Sequence, residues 1–147
     1  MSESRSASDR IDQIIDIARG AVHTGNGERE NRKVTRVPFT SEVAVIVITA
    51  SGEKGSPHIV RCENISTGGL CVTSQQELDA GSRGGVLILR SDGEPVVIGM
   101  KVIHARSCGP RGFECGIEFE QQSSAVSMND FRDTLGNLPQ LGRAQAA

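Results

Sequence analysis

The spacing of apolar residues changes period twice along this chain. Ile11, Ile14, Ile15, Ala18 and Val22 recur at helical spacing and form one apolar stripe, with Ser8 placed as an N-cap and Gly20 as a stop. From residue 41 the period is two. In "FECGIEFE", Phe113, Cys115, Ile117 and Phe119 face one way and Glu114, Glu118 and Glu120 the other, the pattern of a half-buried antiparallel strand. Similar runs cover 42–49, 58–64, 70–73, 85–90 and 96–106, separated by "SGEKGSP", "STGG", "ELDAGSRG", "SDGEP" and "SCGPRG". Six short strands with hairpin-length connections and no crossover helix predict a mainly β domain, either an antiparallel barrel or a tight sandwich. In "SMNDFRDTLGNLP" the helical period returns. Met128, Phe131, Leu135 and Leu138 share one face, Ser127 and Asp130 resemble a capping box, and Gly136 and Pro139 end the run, predicting a C-terminal helix.

The N-terminal stripe must be buried on something. Packing on the domain's own sheet is the simpler expectation, and a homodimer or partner interface is the alternative. At 147 residues the chain is long enough for one domain with a core and appendages. A formal charge of −2, only 3% aromatic residues and no Trp or Tyr argue against a binding surface for long nucleic acid, which needs a broad basic field and stacking platforms. Any anionic ligand should therefore be small and held locally. No run is long and apolar enough for a membrane span, and "MSESRSASDR" lacks the apolar stretch of a signal peptide, so a cytoplasmic protein is expected. Cys62, Cys71, Cys108 and Cys115 form no Cys-x-x-Cys pair and read as small buried hydrophobes of a reducing compartment, with no metal site implied.

Signatures of catalysis are missing from the sequence. Gly-x-Ser-x-Gly, Gly-x-x-x-x-Gly-Lys-Ser/Thr and His-Glu-x-x-His do not occur, and His23, His58 and His104 fall in unrelated segments. No catalytic residue is assigned, and a non-enzymatic role is expected.

Two loops carry more information. Between Glu28 and Arg36, Arg29, Arg32, Lys33 and Arg36 outnumber Glu28 and Glu30 in a chain that is acidic overall. Two arginines four apart often form no more than a solvated face. Here, however, Pro38 disfavours helix at Val37 and so places them on an extended arm before the first strand. Guanidinium groups grip phosphate bidentately, address the O6/N7 edge of guanine, and stack on planar bases. The second loop, "NISTGG", is in its simplest reading a tight turn. It also places an amide, Asn64, and a hydroxyl, Ser66, two apart at a strand end, with Gly69 leaving room for a ligand.

Arg32-x-x-x-Arg36-Val37-Pro38, then a strand, then Asn64-x-Ser66-x-x-Gly69, then "GIEF" before a C-terminal helix, resembles the PilZ domain, the bacterial receptor module for cyclic diguanylate (cyclic di-GMP). The resemblance spans about residues 29–138, with 1–28 as a tail carrying the helix and linker and 139–147 as a C-terminal tail. It implies a six-stranded antiparallel β-barrel with an N-terminal arm that closes over the dinucleotide to regulate an unidentified partner protein. It also implies that Arg32 and Arg36 contact phosphates and guanine, that Asn64 bonds a guanine edge, that Ser66 bonds the ligand, and that Gly69 leaves space. Lys33 stands where many members have another arginine, and Asn64 where Asp is commoner. His104 stands roughly where many have Trp, to stack on a base or simply to lie exposed. Some members lack the motifs and act as ligand-free adaptors, which is the alternative function.

Overall fold

The computed structural model describes residues 7–18, 36–120 and 126–142. An α-helix, α1 (Ala7–Ala18), precedes six strands: β1 (Val37–Val47), β2 (His58–Ser66), β3 (Gly69–Ser74), β4 (Arg83–Leu89), β5 (Pro95–Ser107) and β6 (Phe113–Glu120). They close into an antiparallel barrel in the order β1-β2-β3-β6-β5-β4, with β4 pairing back onto β1. Closure settles the choice between barrel and sandwich. β1 begins at Val37 rather than at 42, so Val37 and Pro38 are already paired with Ile65 and Asn64.

Inward-facing residues follow the period-two pattern. Val43 and Val45 of β1, Val60 and Cys62 of β2, Leu70 and Val72 of β3, and Cys115, Ile117 and Phe119 of β6 meet in one buried cluster. Ile11, Ile15 and Ala18 of α1 join the same cluster. A helix can reach the inward residues of a closed barrel only at an open end, so α1 plugs that end. Outside the apolar contact, Asp16 accepts from Arg90, and Asp12 accepts from the Ser91 backbone N–H at 2.8 Å, which fastens the helix to the β4–β5 turn. The N-terminal stripe is thus buried on the chain's own barrel. The helix starts one residue before Ser8, so Ser8 falls in its first turn and not at its cap. Among the described residues no helix is long and apolar enough to cross a membrane.

The C-terminal helix expected from the 127–138 spacing is a single 3-10 turn, Met128–Phe131. The expected capping box is present, with Asp130 accepting from the Ser127 N–H at 2.7 Å, and it starts the turn. Beyond it Asp133 captures backbone groups that a longer helix needs, accepting from the N–H groups of Leu135 and Asn137 at 2.9 Å each and folding the chain back. Val126 and Phe131, with Met128, Leu138 and Leu141 beside them, cover Ala44, Ile46 and Leu87 on the outer face of β1 and β4. Leu135, expected on that apolar face, is 82% exposed. The strap ends on β1, where the Glu42 N–H donates to the Gly142 carbonyl at 2.8 Å.

All four cysteines are free thiols, with Cys62 and Cys115 buried and Cys71 and Cys108 half-buried. Burial pushes the Cys62 thiol up to about 12, so it packs as a neutral hydrophobe.

Two stability predictions follow from this packing. Ile15→Ala should cost about 2–5 kcal/mol in urea unfolding, the usual scale for a truncated core aliphatic, whereas Leu135→Ala should stay within about 0.5 kcal/mol. The Ser127 backbone N–H, and then Lys54 at 3.1 Å, hold the Asp130 carboxyl below the usual carboxylate range. Stability from this group is therefore present above the unfolded-state pKa and lost as pH falls through the lower folded value. Urea midpoints measured against pH should show Asp130→Asn less stable than the parent near neutrality, with the gap closing under acid.

Candidate ligand site on the outer barrel face

Strand register places two of the candidate residues, Asn64 and His104, in one row. Pro38 pairs with Asn64, Asn64 with Cys71, Cys71 with Gly116, and Gly116 with His104, so a line crosses β1, β2, β3, β6 and β5 on the outer surface. Each end of the row carries an irregularity. β2 has an extra residue between Cys62 and Asn64, β5 has one between Val102 and His104, and β1 shifts between Pro38 and Ser41. A bulge places two consecutive side chains on one face and re-aims them. Glu63 and Asn64 both point outward, as do Ile103 and His104. Their sequence signal is a three-residue step between inward apolar positions, Val60-Cys62-Ile65 and Met100-Val102-Ala105, where an unbroken strand steps by two.

Arg36 stands two residues before Pro38 and reaches across to β2, where its Nη1 donates to Asn64 Oδ1 at 2.8 Å. This bond joins the two loops that stood out in the sequence, 28 positions apart. Arg32 and Lys33 lie outside the described residues.

Ser66 and Gly69 are occupied within the hairpin. Ser66 is buried and pairs with Gly69, and its Oγ accepts from the Gly68 N–H at 3.2 Å and donates to the Gly69 carbonyl at 3.4 Å. A Cβ at position 69 would sit 2.0 Å from the Ile117 carbonyl oxygen, so the approach of β6 by itself demands glycine there. At the far end of the row, a Cβ at Gly116 would fall 2.4 Å from His104 Nε2. The missing side chain thus lets the exposed imidazole lie flat across β6.

Beside Asn64 the outer surface sinks into a groove of about 720 Å³, lined among others by Glu42, Arg61, Glu63, Cys71, Thr73 and Glu114. That volume falls within the range of small-molecule sites. Two of its carboxylates have cationic neighbours. Arg106 donates to Glu114 Oε1, at 2.9 Å through Nε, and holds that carboxyl below the usual range. Arg61 lies 3.7 Å from Glu63, and the Thr73 hydroxyl donates to Glu63 at 3.2 Å. Burial, then the neighbouring Glu114, raises the Cys71 thiol, which is therefore a neutral wall group. Sequence reading did not single out Glu63, Cys71, Thr73 or Glu114 as site residues, because only register brings them together.

A family model of the PilZ domain matches residues 30–135. Comparison with curated proteins gave no match. Among solved structures, the chain is similar to YcgR from Escherichia coli in complex with c-di-GMP, with 16% identity and a TM-score of 0.48 over 63% of this chain and 39% of that one. It is also similar to the PilZ domain of YcgR from Escherichia coli with c-di-GMP, with 14% identity and a TM-score of 0.44 over 63% of this chain and 80% of that one. The K. pneumonia MrkH–c-di-GMP complex shows 13% identity and a TM-score of 0.44, over 61% of this chain and 44% of that one. The chain thus spans about two-fifths of the length of the first of these structures. With the family model running from the basic arm through all six strands to the C-terminal turn, the chain belongs to the PilZ domain family.

Proposed function

We propose that this chain is a cytoplasmic, non-enzymatic receptor for cyclic di-GMP whose basic arm closes over the ligand and thereby alters the binding of a partner protein. The observation that carries the reading is the Arg36–Asn64 bond at the edge of the groove. It brings a phosphate-gripping guanidinium and a base-reading amide to one place, where the pairing of β1 with β2 sets the end of the arm beside the turn. Arg32 and Lys33 lie upstream on the same arm and add cationic groups for a ligand with two phosphates. At the other end of the row His104 offers a ring plane, three strand spacings or roughly 14 Å from Asn64. Ser66 acts by fixing the hairpin that carries Asn64, since its hydroxyl is already engaged there. The paired charges of the groove, Arg106–Glu114 and Arg61–Glu63, suit binding rather than proton transfer.

Ligand-free adaptor activity is the second reading, favoured by one feature: the groove wall carries Glu42, Glu63 and Glu114, an unfavourable field for phosphate. Isothermal titration separates the two. Cyclic di-GMP should bind saturably, and more weakly as salt rises, because charge pairing at an exposed site is screened. Arg36→Ala and Arg32→Ala should each lose about 1.5–3 kcal/mol, the scale of a hydrogen bond to a charged group. No heat of binding with folded protein, or unchanged affinity in both variants, would leave the adaptor reading standing.

A further inference from the structure

We propose that Glu63 is the specificity-determining residue of this site, the carboxylate that reads the paired N–H donors of a guanine held beside Asn64. The inference rests on the receptor reading above and identifies which groove residue selects the base. Asn64 cannot do this alone. Its Oδ1 accepts from Arg36 Nη1, so its amide offers the groove N–H donors, which suit the O6 and N7 acceptors of a purine. Guanine also presents two adjacent donors, N1–H and the N2 amino group, and an ionised carboxylate is the side chain that accepts both at once.

Three carboxylates line the groove, and Glu63 is the one that is both uncommitted and beside Asn64. Glu114 gives Oε1 to two donors of Arg106 and Oε2 to the Cys71 thiol. Glu42 accepts the Gly142 N–H at 2.6 Å through Oε1, anchoring the C-terminal strap, and pairs across the strands with Arg61, three positions along β2 from Asn64. In Glu63 both contacts, from Thr73 Oγ1 and from Arg61 Nε, fall on Oε2, and among the described residues Oε1 has no partner. The bond from Thr73 occupies one acceptor site of Oε2 and holds the side chain in place, leaving a second site open. The β2 bulge brings Glu63 onto the same outer face as Asn64. Without that extra residue the two would alternate, and Glu63 would face the core.

Simple charge counting gives the opposite expectation for a mutation. Next to an anionic dinucleotide a carboxylate repels, so removing its charge without changing its shape should tighten binding. If Glu63 accepts guanine's donors, the same change weakens it, because one oxygen becomes an amide that faces donors with donors.

Titration of the full chain and of Glu63→Gln with cyclic di-GMP and with its hypoxanthine analogue, which lacks the N2 amino group, decides between them. The parent should bind the guanine ligand more tightly than the hypoxanthine one. Glu63→Gln should lose roughly tenfold or more for the guanine ligand. Its preference for guanine over hypoxanthine should shrink toward unity, with an unchanged thermal midpoint because the side chain is 42% exposed. A Glu63→Gln protein that binds cyclic di-GMP as tightly as the parent or tighter, or that keeps the full preference, would overturn the assignment while leaving the receptor intact. A parent protein that binds neither ligand would overturn the receptor reading itself, and the role of Glu63 with it.

Discussion

Barrel closure is the constraint on which the other features depend. Six strands that pair in a ring fix each residue's neighbours on both sides, so a register shift cannot be absorbed at a free edge. Where a strand carries an extra residue, that residue must turn outward. The bulges of β2 and β5, with the irregularity of β1, gather at one row. Among the described residues, α1 packs at an open end and the 126–142 strap covers part of β1 and β4. The row where the strands depart from regularity faces outward beyond both.

On the proposed reading, local charge pairing reconciles a net charge of −2 with an anionic ligand. Two of the groove's three acids have cationic neighbours, Arg106 for Glu114 and Arg61 beside Glu63, so they contribute less to the field than their number suggests. The cation assigned to the ligand on that reading is Arg36 of the arm, whose Asn64 partner is neutral. Binding of this kind rests on a local cationic element and a partly self-compensated wall, and needs no basic face.

Much of the fold was legible in the sequence. Period-two alternation located all six strands, and the stripe of Ile11, Ile15 and Ala18 predicted a helix packed on the sheet. The C-terminal helix was misread because Met128, Phe131 and Leu138 do share a buried side, but through a turn and an extended strap. Spacing cannot distinguish those arrangements when a side chain such as Asp133 competes for the backbone. The resemblance implied an arm lying against the turn after the second strand, but not the direct bond from Arg36 to Asn64. The groove was not legible, because Glu42, Glu63, Thr73 and Glu114 belong to four strands and meet only through register. Gly69 was read as space for a ligand, and the structure supplies a nearer cause in the Ile117 carbonyl.

The central claim is that the ligand lies along the outward row from Arg36 to His104. Backbone amide shifts recorded by NMR during titration with cyclic di-GMP test it most directly. The account predicts that Arg36, Asn64, Cys71, Gly116 and His104 move together along one saturation curve while Val126 to Gly142 stay still. Shifts confined to the strap or to α1, with the row unmoved, would contradict it.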